Sequence, residues 1–452
     1  KDLSLSAGWG KAVKLPSFEV LYPSPSNSKF YSDELTFAHN IEGANSIYGY
    51  YIIPQQTIFN PNLKWQYNKQ TEIGIEANVL GAKISLVAFW NKTMNPYRSI
   101  NLYTPYTYKL TNPKDQTFTI PKEDREFSMD SNTGIVTVSD KTGKVANQSL
   151  VYTNRDSYKS DIMYTNGSSI KRSGMEWIID FPQIPAIKTS FRLDGSYYRY
   201  KGVDEKIIAW RPSSDVRMAD GSPYRYVGYY AGSSQNATSS VNANSATGFS
   251  RNPVNATVSN GKLSKQVNSN FTITTHIPKI RLILSMTVEA SFYHYSRNLS
   301  EYQGKTRGFV LNEEDMYGSD LSNANIYAGN QKVAVHPLYY STWEEPEVKI
   351  PFTEKFLDAK KNDPVLYRDL SKLVIKTAHK SDFNPDKISA YFSANIRVTK
   401  EIGNFASISF YANNFLNSLK KIKSSKEDTW LSLYGSNWIP KFHYGLSLRI
   451  KI

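Results

Sequence analysis

Six histidines are spread along the chain, at His39, His276, His294, His336, His379 and His443. None stands in an H-E-x-x-H pattern, no serine stands in G-x-S-x-G, and no glycine loop has phosphate-binding spacing. Two acidic runs, KEDRE at 122–126 and NEEDMYGSD at 312–320, offer carboxylates to a cation. Their spacing lacks the regular oxygen-ligand repeat of a calcium loop, so they read as solvated segments. The chain has no cysteine, which removes disulfides and thiolate metal sites. No catalytic residue, metal ligand or cofactor is nominated by this inventory.

Aromatic residues carry more information. They make up 13% of the chain and include 32 tyrosines. They cluster in LYTPYTY (102–108), SYYRY (196–200) and YRYVGYY (224–230), with Trp210 and Trp343 alongside. A flat ring stacks on a sugar face or packs against a peptide while its hydroxyl hydrogen-bonds. Tyr106, Tyr108, Trp210, Tyr226 and Tyr230 are therefore the ligand candidates.

The elements that must position these rings are strands. In KISAYFSANIRVT, Ile388, Ala390, Phe392, Ala394, Ile396 and Val398 share one face, while Ser389, Tyr391, Ser393, Asn395 and Arg397 share the other. IRLILSMTVEASFYHY and the closing KFHYGLSLRIKI alternate in the same way. Alternation this long marks strands with two different environments. Tight turns join the strands in pairs, at Leu80-Gly81-Ala82, Pro182–Pro185, Pro278-Lys279 and around 400–404. About ten strands emerge, each near or above the roughly 9–11 residues that cross a bilayer at a tilt. Long polar stretches at roughly 11–64, 96–168, 202–264, 297–386 and 414–439 alternate strictly with the tight turns. Within them GIVTVSDKTGKV predicts a hairpin. Asp363-Pro364 predicts a helix running through Ile375, with Asp as N-cap and Pro in the first turn.

No apolar run approaches the length of about 18 residues that a membrane helix needs. A mean hydropathy of −0.48 fits a transmembrane β-barrel, whose strands show lipid only at every second residue. Arg192, Arg281, Arg397 and Arg449 all fall on the polar parity. A lipid-facing Arg or Lys at the midplane costs about 2–4 kcal/mol, so the apolar parity is the lipid face. The fold expected is all-β, a transmembrane antiparallel β-barrel with short periplasmic turns and long extracellular loops. A soluble sandwich would not place every long loop at one end. The net charge of +14 is scattered and carries no nucleic-acid-binding motif, so nucleic acid is not an expected partner. A pore interior or anionic lipid head groups, lipopolysaccharide among them, account for the charge as well. Inside the barrel Arg172, Glu176, Asp180, Arg192, Asp194, Arg281, Glu289 and Arg397 offer donors and acceptors that pair across strands.

Two resemblances sharpen this reading. His443, Gly445, Leu448 and Ile450 resemble the C-terminal assembly signal of outer-membrane β-barrels, although the usual terminal aromatic is missing. Gly8, Gly10, Leu15-Pro16, Asn60-Pro61-Asn62-Leu63-Lys64, Glu72, Gly74, Lys92 and Asn413-Asn414-Phe415-Leu416 resemble, in order and spacing, the TonB-dependent receptor family. Loop length and tyrosine content look most like the SusC-like nutrient receptors. The resemblance implies a bacterial outer-membrane protein of 22 strands with an N-terminal plug. Residues 1–452 are then the C-terminal part of the barrel, without the plug or the earlier strands. It implies that several of the eight lumen charges contact the plug, and that TonB engages the missing segment. A SusD-like surface lipoprotein is a further implied partner. Active import of a nutrient follows, with oligosaccharide or peptide favoured over siderophore or vitamin. A passive porin or adhesion barrel is the alternative, and an outer-membrane hydrolase has the least support.

Overall fold

The structure is a computed structural model and describes residues 3–22, 37–39, 45–47, 56–130, 132–212, 216–232, 259–311, 332–416, 425 and 442–450. An 11-stranded antiparallel sheet dominates it. Ten strands follow one another along its path: β1 Leu3–Lys14, β2 Gln66–Val79, β3 Ala82–Met94, β4 Ile170–Asp180, β5 Thr189–Val203, β6 Gly261–Ile277, β7 Leu282–Leu299, β8 Tyr391–Ile402, β9 Ala406–Asn413 and β10 His443–Ile450. The eleventh, Asp386–Ile388, pairs with β7 just beyond β8. Among the described residues the edge strands β1 and β10 are not paired with each other.

The register carries the alternation from strand to strand. Ile396 faces Met286 and Ala412, and Met286 faces Ile273. On the other face Arg397 lies opposite Ser285 and Tyr411, and Thr272 lies between Arg192 and Thr287. Each face is thus continuous across strands, because residues directly opposite in an antiparallel pair point the same way. The apolar face is uncovered. Leu446, Leu448 and Ile450 of β10 are 74%, 62% and 62% exposed, and Leu5 of β1 is 71% exposed. Such a surface needs an apolar neighbour, which the hydrocarbon core of a bilayer supplies. Among the described residues a bulge between Val267 and Asn268 interrupts this surface, where Phe292 has no partner on β6 and packs against Phe392. Trp177 lies across Gly195 on this face. A Cβ added at Gly195 would meet the indole and the carbonyl of Asn268 at about 2.5 Å.

The tight turns fall where the alternation stops. Leu80 and Gly81 both have positive φ, the geometry that closes a two-residue hairpin. The five long connections leave from the opposite end of the sheet, after β1, β3, β5, β7 and β9.

Three features depart from the sequence reading. The segment from 96 is not loop throughout: Tyr97–Leu110 and Thr153–Asn166 form a 14-residue antiparallel ribbon that continues the β3–β4 hairpin. Neither of its faces is uniformly apolar, so its period does not stand out. The helix opened by Asp363 ends at Ser371 rather than Ile375. Leu373 to Ile375 turn into a buried core, and Ile375–His379 pairs as a strand with Lys332–Val335. A second helix, Phe352–Asn362, precedes it, with Phe352, Phe356 and Ala359 buried on one side. The Asp363 cap itself is as expected, its carboxylate accepting from the Leu366 N–H at 3.0 Å. The hairpin expected in 134–145 is shifted: Val136–Asp140 is a strand, but it pairs with Arg125–Met129 and with Gln148–Ser149, both outside that segment.

Candidate functional site

The long connections build a second core at the loop end of the sheet. Strands Ile207–Trp210, Tyr226–Ala231, Tyr339–Thr342 and Ile350–Pro351 form one small sheet, and the two helices pack beside it. Trp210, Tyr224, Tyr230, Tyr340, Phe352 and Leu370 are buried together. The two fully buried tyrosines have their hydroxyls satisfied. Tyr224 donates to the Asp369 carbonyl at 2.8 Å, and Tyr230 donates to the Leu373 carbonyl at 2.5 Å. Asn260 ties three loop bases together, donating at 2.7 Å to the carbonyls of Asp204 and Glu301 and accepting from the Glu301 N–H.

This loop core leans on the ribbon. Tyr158 donates to the Arg225 carbonyl at 2.8 Å, and Trp343 Nε1 donates to the Ser157 carbonyl at 3.0 Å. Arg225 pairs with Asp156 on one side and Glu344 on the other. Arg211 lies over the Tyr158 ring, 4.6 Å from its centroid, and donates to the Tyr224 carbonyl at 3.1 Å. Tyr103, Tyr106 and Tyr224 also surround it. Burial lowers the Arg211 pKa, and among the described residues it makes no ion pair and its Nε–H has no acceptor. An uncompensated guanidinium ringed by tyrosines is a feature suited to an anionic or hydroxyl-rich ligand. The sequence hides it because it follows Trp210 and precedes a proline in a segment that reads as plain loop.

The ligand candidates divide on this geometry. Trp210 and Tyr230 are 5% and 0% exposed and pack edge to face, their rings 5.8 Å apart. They support the site from beneath. Tyr226 is half-buried, and its pKa is pushed up to about 12 by burial. Tyr106 and Tyr108 stand 6.0 Å apart on the ribbon and keep open surface. Burial raises the Tyr108 phenol, and Arg155 and Arg217 partly offset it. Tyr106 and Tyr108, with the partly buried Arg211 beside Tyr106, are thus the candidate cluster.

The polar-face charges spread over four strands rather than converging. Arg192 stands 3.7 Å from Asp180 and 3.6 Å from Asp194. Asp194 accepts from Asn270, Glu289 from Asn395, and Glu176 from Tyr198. Arg172 donates to Thr93. Arg397 is exposed opposite Ser285. Arg281 differs from expectation: it is the left-handed turn residue before β7, with φ 49°, and not a member of the face. The acidic segment 312–320 lies outside the described residues.

At the closing strand, His443 shares a contact of 2.9 Å with Asn413, and Leu448 and Ile450 face outward. Gly445 lies opposite Tyr411, and its missing side chain leaves room for that ring, whose hydroxyl would sit 2.5 Å from a Cβ. The motif residues have local roles too. Asn60 donates to the Tyr164 carbonyl, and the Lys64 N–H and carbonyl are both held by the Asn166 side chain at 2.8 Å. Asn414 takes a left-handed φ of 54° and donates its N–H to Asn395 Oδ1, ending β9.

Comparison with known proteins gives one match. Residues 1–120, which hold β1, β2, β3 and the first ribbon strand, match the family model described as TonB dependent receptor-like, beta-barrel. No curated protein and no solved structure matches the chain. The similarity to that family covers residues 1–120, and those residues open the two-faced antiparallel sheet.

Proposed function

We propose that the chain forms wall, lumen lining and extracellular ligand loops of an outer-membrane receptor that actively imports a nutrient. One observation carries this: five long connections all leave the same end of a sheet with one lipid-facing and one polar face, and those after β5 and β7 pack their aromatic side chains into one core. In lipid the open edges of β1 and β10 each require a partner strand, so further strands complete the barrel. The polar-face charges from Arg172 to Arg397 then face a plug, and the plug is moved through TonB. Bond chemistry has no place in this scheme.

The Tyr106, Tyr108 and Arg211 cluster favours a ligand with hydroxyls or carboxylates, an oligosaccharide or a peptide, held under a SusD-like lipoprotein. The test is uptake of labelled oligosaccharide and peptide pools by cells with and without the gene, each with and without a protonophore. Gene-dependent uptake abolished by the protonophore supports active import. Gene-dependent uptake indifferent to it means a passive pore. Within an active importer, Tyr106→Ala, Tyr108→Ala and Arg211→Ala are expected to lower ligand binding at least tenfold. Unchanged binding in all three removes the cluster from the ligand site.

A further inference from the structure

The outward face of the sheet carries a row of lysines at its loop end. Lys11 lies directly opposite Lys69, Lys69 opposite Lys92, Lys92 opposite Lys171, and Lys171 opposite Lys201. Five neighbouring strands thus place a cation in one cross-strand row, over about 19 Å at the usual strand spacing. All five share the parity of the exposed apolar residues Leu5, Trp9, Ile73, Trp90 and Met175. They belong to the lipid side, not the lumen. Arg199 adds a sixth charge two residues below Lys201, directly opposite Lys265.

Like charges directly opposite in a sheet destabilise it. Here four successive pairs repeat the arrangement, and among the described residues only Lys201 has a carboxylate, Glu301 at 3.2 Å. Among the described residues Lys11, Lys69, Lys92, Lys171 and Arg199 make no ion pair. A surface hollow of about 570 Å³ opens among them, lined by Lys69, Lys92, Lys171, Arg199, Lys201 and Trp90.

The depth of the row is set by its neighbours. One step toward the turns, Trp9, Thr71 and Trp90 stand in register. The two tryptophans are 72% and 51% exposed. Exposed tryptophans on a lipid face mark the membrane–water interface. The lysines stand one row beyond it, at head-group level in the leaflet nearest the long loops.

We propose that this row binds the phosphate-bearing head group of a lipid in the outer leaflet. The lysines neutralise the phosphate, and Trp9 and Trp90 pack against the acyl and sugar boundary below. The site sits on the outside of the wall, apart from the ligand loops, and rests on the outer-membrane reading above.

Full-chain protein is purified, and native mass spectrometry follows capture of three probes: phosphorylated lipid A, enzymatically dephosphorylated lipid A, and inorganic phosphate. Two variants are compared with the parent, Lys69→Gln/Lys92→Gln/Lys171→Gln and the charge-keeping Lys69→Arg/Lys92→Arg/Lys171→Arg. At the energy of a lysine near an anionic leaflet, removal of three charges is expected to weaken binding of phosphorylated lipid A about a hundredfold. The Arg variant keeps it, and dephosphorylated lipid A binds the parent no better than the Gln variant binds phosphorylated lipid A. Equal binding by the Gln variant, or of dephosphorylated lipid A by the parent, overturns the proposal. Capture of inorganic phosphate as tight as that of the lipid makes the row a free-anion site and overturns the lipid assignment. Membrane fractionation and heat-modifiable gel mobility, scored separately for each variant, report folding and location, so failure of the lipid site is distinguished from failure of the membrane reading.

Discussion

Placing an arginine at Ile396, near the middle of β8, tests which face meets lipid. Ile396 has Met286 and Ala412 directly opposite, so no acceptor faces the new guanidinium across the strand. At the bilayer midplane this costs about 2–4 kcal/mol, roughly 30- to 700-fold in the folding equilibrium. Ser393→Arg, on the same strand but the polar face, places the charge directly opposite Glu289. A cross-strand ion pair contributes about 0.2–1 kcal/mol, so this variant is expected to match the parent or exceed it slightly. A third position reports depth. Thr71 is on the apolar face but stands between Trp9 and Trp90 at the interface, where an arginine costs only about 0–1 kcal/mol. The assay is denaturant unfolding of the full chain from phospholipid vesicles, followed by tryptophan fluorescence. The expected order of destabilisation is Ile396→Arg, then Thr71→Arg, then Ser393→Arg. If Ile396→Arg costs no more than Ser393→Arg, the faces have been assigned the wrong way round. If Thr71→Arg costs as much as Ile396→Arg, the face is a protein core, which has no such gradient of depth.

Gly195→Ala is expected to destabilise the wall by about 1–3 kcal/mol, because its Cβ meets a backbone carbonyl and the Trp177 ring together; unfolding from vesicles measures it, and a neutral result would mean the indole does not lie there. Asp363→Ala removes the cap on the Leu366 N–H and should cost the Pro364–Ser371 helix about 1 kcal/mol, seen as faster amide exchange in that helix with the wall unchanged. Burial raises Tyr226 to about 12 and Tyr224 and Tyr230 well above their ordinary value, whereas the unfolded phenols ionise near 10. The unfolded loops therefore release these protons first. The stabilisation is full below about pH 10 and is lost as pH rises through about 12. Phenolate absorbance should show this late group ionising together with loss of the loop core, and ionisation of every tyrosine near pH 10 with the loops intact would contradict it.

Much of this protein is legible from alternation because lipid acts on one residue in two. Leu446, Leu448 and Ile450 declare their face without reference to any neighbour, and the turns at Leu80-Gly81 and Pro278-Lys279 appear where the period fails. The ribbon Tyr97–Leu110 with Thr153–Asn166 was not legible, since mixed residues on both faces erase the period. The aromatic candidates show the same limit. Trp210 and Tyr230 look like Tyr106 and Tyr108 in the sequence, but the fold covers the first pair and leaves surface on the second. Arg211 carried no signal, because its environment is made by the ribbon, the loop core and Tyr224 at once.

The strands, their two faces and the alternation of short turns with long loops are local properties, because each depends on neighbours one or two residues away along the chain. Which loop aromatics are buried depends on packing between segments far apart in the chain, and so does the row of Lys11, Lys69, Lys92, Lys171 and Lys201. Register between strands joined by long loops is set by pairing across the sheet, and no spacing along the chain records it.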